Sequence, residues 1–89
     1  MPKVEKEVTI KNPQGLHARP AALFVQIASK YDAAVNVSKD KERVSGKSIM
    51  GILTLGANQN SKIVIEVDGE NAQQILQELE RFLTSEEAI

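Results

Sequence analysis

The chain has no cysteine and no tryptophan, and its only histidine is His17. Without cysteine there is no disulfide framework and no thiolate chemistry. A metal ion would have to recruit carboxylates around a lone imidazole, and none flanks His17, so neither metal nor cofactor is expected. Aromatic residues make up only 3% of the chain, which removes the stacking platforms that single-strand nucleic-acid binders use. A formal charge of −1 likewise lacks the basic excess needed for nonspecific nucleic-acid binding. No long apolar run or signal peptide occupies Met1–Ile10, so a cytoplasmic protein without membrane insertion is expected. Repeats, linkers and low-complexity stretches are missing too, and the 89 residues are expected to form one domain over 1–89. A core of that size is modest. Each fully buried aliphatic side chain, at about 1.5–3 kcal/mol, is then a large share of a net stability of about 5–15 kcal/mol.

What is present is a clear alternation of patterns. Val4 to Ile10 reads as a half-buried strand with Val4, Val8 and Ile10 inward. Asn12-Pro13-Gln14-Gly15 has turn composition. Phe24, Ile27, Ala28 and Tyr31 then recur at the spacing of one helical face, predicting a first helix that runs to about Lys30–Tyr31. Ala33, Val35 and Val37 are the inward residues of a second strand. Lys39-Asp40-Lys41-Glu42 reads as a polar hairpin turn, and Val44 belongs to a short third strand at an edge. Ser48 is placed as the N-cap of a short second helix, with Ile49, Ile52 and Leu53 turned inward and Gly56 closing it. Gly51 weakens that helix by about 1 kcal/mol relative to alanine. Ile63, Ile65 and Val67 form a fourth strand. Ala72, Ile75, Leu76, Leu79, Phe82 and Leu83 make the cleanest helical stripe, read as core, and Thr84 to Ile89 is expected to fray.

The order is β-α-β-β-α-β-α, and each strand shows one apolar face. An α+β fold with one layer of helices over one face of an antiparallel sheet accounts for that pattern. Periodicity does not set the strand order.

His17 falls where the first helix begins. Pro20 supplies a helix-compatible φ and lacks the N–H that a first-turn residue would leave unpaired. Gly15, just ahead, suits a tight turn or a close backbone approach. His17 therefore sits at or beside the N-cap, near unpaired amides and the positive end of the helix dipole. That end disfavours imidazolium, favouring a neutral, nucleophilic ring near pH 7. A phosphoryl group on His17 would place its charge where the Ala18 and Arg19 amides and the Arg19 guanidinium can receive it. The dipole contributes about 0.3–1 kcal/mol and a charge-assisted hydrogen bond about 1.5–3 kcal/mol, so Arg19 outweighs the dipole. Neither traps the group irreversibly, which suits a carrier. On these residues alone His17 reads more readily as an ordinary capping or surface histidine, and physics makes it a candidate and no more.

Gly15-Leu16-His17-Ala18-Arg19-Pro20-Ala21-Ala22 resembles the active-site signature of HPr, the histidine phosphocarrier family of the bacterial sugar phosphotransferase system. Lys47-Ser48-Ile49-Met50-Gly51-Ile52 resembles the regulatory-serine segment of serine-phosphorylated HPr proteins. The resemblance covers essentially the whole chain and implies an open-faced β-sandwich with strand order 1-4-2-3 and three helices on one face. It implies that His17 accepts phosphate on Nδ1 from enzyme I and passes it to IIA domains of sugar permeases, with Arg19 steadying the group. Ser48 would be the target of a dedicated HPr kinase/phosphorylase and the link to a catabolite-control transcription factor. Met50 would belong to an apolar docking surface with Ile49 and Leu53, although pattern alone reads Met50 equally as core filling. The chain is expected to act as a monomer.

Two departures stand out. Asp40-Lys41 occupies a turn where Asn-Gly is commoner, and the C-terminal extension puts in doubt any role of a terminal carboxylate near His17. The intact His17 argues against the catabolite-repression paralogue that lacks this histidine. A nitrogen-related or regulatory HPr paralogue is the nearer alternative to a sugar-uptake carrier. A true enzyme using His17 as general base is the more distant one, and would need a carboxylate to orient the imidazole and a substrate pocket.

Overall fold

A computed structural model describes residues 2–86 of the chain. Its elements are β1 (Lys3–Thr9), α1 (Ala18–Ser29), β2 (Ala34–Lys39), β3 (Glu42–Ser45), α2 (Ile49–Leu55), β4 (Lys62–Asp68) and α3 (Ala72–Thr84). All strand pairs are antiparallel, and the sheet order is β1-β4-β2-β3. This is the open-faced sandwich implied by the family resemblance. The register sets aliphatic side chains opposite one another on the helix-facing side: Val8 with Ile63, Val37 with Ile65, and Val35 with Val67. These six are buried together with Phe24, Ile52, Ile75, Leu79 and Leu83, so helices and sheet share one core.

Polar contacts tie the layers and the sheet's open face. Glu66 on β4 holds Lys3 of β1 at 2.9 Å and also pairs with Arg43 of β3, spanning the sheet on its solvent side. Lys6 of β1 reaches Glu80 of α3 at 2.8 Å. Glu78 of α3 accepts from Lys30 at 2.7 Å and from the Tyr31 hydroxyl at 2.5 Å, fastening α3 to the end of α1. The Lys30 ammonium and then the Tyr31 hydroxyl hold the Glu78 carboxyl below the usual carboxylate range. The same contact raises the Tyr31 phenol.

Several expectations shift in detail. Ile10 and Ala33 are buried as expected but lie just outside their strands, and Val4 is only partly buried. Helix α1 ends at Ser29, before Tyr31. Asp40 turns the β2–β3 hairpin with a φ of 55°, doing alone part of what Asn-Gly would do. In α2 only Ile52 and Leu55 face inward, whereas Ile49 and Leu53 are exposed. A seven-residue helix that is apolar nearly all round can bury only the side against its neighbours. Gly51 has a packing role there, because an added Cβ would lie 3.0 Å from the Val44 side chain. Phe82 is half-buried at the edge of its stripe, and Thr84 is the last residue of α3 rather than frayed tail. Residues 87–89 of the expected frayed tail lie outside the described residues, as does Met1.

The connection from β1 to α1 is the most constrained. The Asn12 side chain, fully buried, donates to the Gly15 carbonyl at 2.8 Å, and the Gly15 amide donates back to the Asn12 carbonyl at 3.1 Å. The Lys11 amide donates to the Leu83 carbonyl at 2.8 Å, anchoring the turn to the end of α3. Gly15 then takes a φ of 64° while its Cα lies against the chain that leaves α2. A Cβ at Gly15 would come within 2.6 Å of the Ala57 carbonyl oxygen and 2.8 Å of Asn58 Cα, both backbone atoms.

Two predictions follow from these contacts. Gly15→Ala should cost clearly more than the roughly 1–2 kcal/mol of a left-handed alanine, because backbone must also move. Gly56→Ala, at a φ of 59° with nothing within 4 Å of the added Cβ, should cost only that conformational amount. Urea denaturation of both variants measures the difference; equal losses would mean that the close approach has no energetic weight. For Glu78, a carboxyl pKa depressed by folding gives stability that is present above the unfolded value, about 4.3, and lost as pH falls through the folded one. The urea midpoint of the wild type should therefore exceed that of Glu78→Gln at neutral pH, with the gap closing on acidification. A gap independent of pH would assign the loss to packing alone.

Candidate functional site

The turn just described delivers His17 to the surface. Leu16 is fully buried, and its amide donates to the Ala57 carbonyl at 2.8 Å, so the next residue emerges on the solvent side. His17 is exposed and is the N-cap of α1, with extended backbone at φ −115° and ψ 156°. Its side chain does not cap the helix. The first helical residue, Ala18, has a φ of 41°, a left-handed conformation that costs a non-glycine residue about 1–2 kcal/mol. The first intrahelical bond runs from the Ala21 amide to the His17 carbonyl at 3.4 Å. Within the helix, the amides of Ala18 and Arg19 thus have no upstream carbonyl to pair with, and Pro20 has no amide to leave unpaired.

The imidazole is held from one side. Its Nε2 lies 2.6 Å from Oδ1 of Asn58, in the loop that follows α2. With Oδ1 as the acceptor, this contact suits the tautomer that holds its hydrogen on Nε2 and its lone pair on Nδ1. Among the described residues nothing bonds to Nδ1. Arg19, also exposed, forms no ion pair or side-chain hydrogen bond among the described residues, and its guanidinium is an uncommitted cation two residues from the ring. The structure brings His17, Ala18 and Arg19 together at one helix end, without a direct Arg19–His17 bond.

Ser48 is the N-cap of α2, and its Oγ accepts from the Gly51 amide at 3.0 Å. The helix closes at Gly56 in the left-handed conformation. Ile49, Met50 and Leu53 are 41%, 70% and 37% exposed, and they are the exposed large hydrophobics among the described residues. Core filling is thereby excluded for Met50. Seven residues of helix span about 10 Å, so Ser48 lies at one end of α2 while the loop that touches His17 leaves from the other. The apolar side chains lie between them.

Asn58 escaped the sequence reading. It is 41 residues from His17, in a polar loop with no periodicity, and nothing in the chain couples the two positions. The only signal was indirect: a glycine before the histidine that suits a close approach, without saying to what. Cavities do not compete for the assignment. Those of about 340, 470 and 290 Å³ are lined by residues around Tyr31 and Asp68, between α1 and α3, and along α3, and His17 lines none of them. No group of three or more potential metal ligands occurs among the described residues, and no helix is long and apolar enough to cross a membrane.

Residues 4–85 match the family model described as the PTS HPr component phosphorylation site. Among curated proteins, the HPr-like protein Crh of Halalkalibacterium halodurans is 40% identical over 83 residues, covering 93% of this chain and 99% of the relative. The phosphocarrier protein HPr of Treponema pallidum is 40% identical over 79 residues, covering 89% and 90%. The crystal structure of phosphocarrier protein HPr from Bacillus anthracis superposes with a TM-score of 0.89 at 41% identity, over 91% of this chain and 96% of that one. Sheet order, helix layer and matched sequence agree from one end of the described chain to the other, and the chain belongs to the HPr family of phosphocarriers.

Proposed function

We propose that this chain carries a phosphoryl group on Nδ1 of His17, accepting it from phosphorylated enzyme I and donating it to IIA domains of sugar permeases in the cytoplasm. The observation that carries the reading is the exposed imidazole at the start of α1, bonded through Nε2 and, among the described residues, without a partner at Nδ1. In the forward step the Nδ1 lone pair forms the N–P bond as the bond from phosphorus to the donor breaks. The Ala18 and Arg19 amides and the Arg19 guanidinium offer donors for the phosphoryl oxygens. The exposed position, outside the three cavities described above, supports a stoichiometric carrier, since each partner must bring its own active site to the ring.

Incubation with phosphoenolpyruvate and an enzyme I from another bacterium tests the reading. The wild type should take up one acid-labile phosphate and stop. His17→Ala should still fold cooperatively and take up none. Acid-labile phosphate on that variant would overturn the assignment, and continuing turnover by the wild type would favour the general-base alternative.

Regulation at Ser48 is part of the same proposal, with an HPr kinase/phosphorylase acting on it and a catabolite-control transcription factor recognising the product. A phosphate there adds about −1.5 to −2 charges beside the first amides of α2, where the helix tolerates them. The charge then borders the patch of Ile49, Met50 and Leu53, adding a desolvation cost and repelling an acidic partner. Coupling of this kind amounts to about 5–150-fold in affinity. Ser48→Asp should slow phosphorylation of His17 by enzyme I while leaving the melting temperature within a few degrees of wild type. An unchanged rate, repeated with authentic phosphoserine, would reduce Ser48 to a helix cap.

A further inference from the structure

We propose that Asn58 is a positioning residue for His17, holding a hydrogen on Nε2 so that Nδ1 is both the attacking atom and, on return, the atom of a neutral leaving group. This rests on the phosphocarrier reading above and assigns a role to a residue outside the helix that bears the histidine.

The contact is built from the backbone upward. One residue before each partner, the Leu16 amide donates to the Ala57 carbonyl at 2.8 Å. Glycine at 15 lets the two chain segments meet, because any Cβ there would strike Ala57 and Asn58 backbone. The Asn58 carbonyl accepts from the Ser61 amide at 3.1 Å and the Ser61 hydroxyl at 2.5 Å, and the next turn is fixed by the Asn60 amide on the Ile10 carbonyl at 2.7 Å. Asn58 therefore presents its side chain from a backbone that is pinned on both sides, and the 2.6 Å bond to the imidazole closes the arrangement.

The chemistry explains why the partner is an amide. A neutral imidazole carries one N–H, and an acceptor at Nε2 selects the form whose lone pair is on Nδ1. When Nδ1 attacks phosphorus, the N–P bond forms, the donor's bond breaks, and the ring becomes cationic with the Nε2 hydrogen still in place. Its bond to Oδ1 then becomes charge-assisted and strengthens. In the reverse step the N–P electron pair returns to Nδ1 and the ring departs as neutral imidazole. Had Nε2 lost its hydrogen, the leaving group would be an imidazolate anion. No proton needs to move in either direction. A carboxylate in place of Asn58 would also accept from Nε2, but it would set a negative charge beside the incoming phosphoryl group. The amide holds the ring without that repulsion.

Long-range 1H–15N spectra of the unphosphorylated protein, taken with the imidazole neutral, read the tautomer directly. The wild type should be the Nε2–H form. Asn58→Ala should relax toward the mixture of a histidine peptide, with the tautomer ratio changed by about twofold to tenfold, the value of one neutral hydrogen bond. Asn58→Asp keeps an acceptor and should keep the Nε2–H form. Phosphorylation by enzyme I should show a lower kcat with unchanged KM in Asn58→Ala. Identical tautomer ratios in wild type and Asn58→Ala, or the same relaxation in Asn58→Asp, would overturn the proposal. The spectra need no phosphate, so failure of His17 to accept a phosphoryl group would count against the carrier reading and not against this contact.

Discussion

The close approach of Gly15 to the chain leaving α2 is the constraint on which the site depends. It is a backbone contact between segments more than forty residues apart, possible only without a side chain at 15, and sealed by the Leu16–Ala57 hydrogen bond. Three consequences follow from this one meeting. Leu16 goes into the core and His17, its neighbour, goes out to solvent. The histidine becomes the N-cap of α1 without using its side chain as a cap. Its ring then lies within hydrogen-bond reach of a loop whose path is set by the C-terminal glycine of α2. The left-handed φ of Ala18 is tolerated because residues on both sides of it are fixed, Leu16 by the loop and Pro20 and Ala21 by burial in the core.

Helix α2 joins the two candidate sites without bringing them into contact. Its inward residues, Ile52 and Leu55, secure it to the core, and its outward residues form the concentrated apolar exposure of the described surface. Exposed large apolar groups lose roughly 25 cal/mol for each square ångström of apolar area left in water, and a folded domain gains nothing internally from keeping them there. In the proposed function this patch is where partners would dock. Its position between the Ser48 cap and the Asn58 loop means that a charge at Ser48 alters the patch directly and His17 only through whatever sits on the patch.

The fold was legible because its signals are local and redundant. Alternation in Val4 to Ile10 and in Ile63 to Val67, and the stripe from Ala72 to Leu83, each place core residues that are buried as read, apart from the half-exposed Val4 and Phe82 at the margins. The strand order was not legible from periodicity, since alternation states which face is buried and not which strand lies alongside; the family resemblance supplied it. Helix α2 misled for a physical reason. Ile49, Ile52 and Leu53 all suit an inward face, but a helix of seven residues packed against α1, β3 and β2 still leaves its outer side, with Ile49 and Leu53, in solvent. The placement of His17, Arg19 and Ser48 at helix starts was readable because such starts carry composition signals. Asn58 was not, because a side-chain bond across 41 residues leaves no trace in the spacing of either partner.

An exposed acceptor on a small rigid frame also limits how partners can use it. In the proposed function the His17 ring would enter the active site of whichever protein is engaged, so donor and recipient would occupy the same face in turn. Ile49, Met50, Leu53 and the Arg19 guanidinium, which forms no ion pair among the described residues, are few beside the roughly 20–30 residues that each side of a stable complex contributes. Brief encounters are then the natural regime, with affinity adjusted through how fast the partner leaves. Speed in such encounters favours a site that needs no rearrangement at the moment of transfer. The turn anchored to α3, the Gly15 approach and the Asn58 contact all fix the ring before any partner arrives. A carrier that must fit several active sites in succession gains from holding its one reactive atom in one place, because each partner then has only to match a constant geometry.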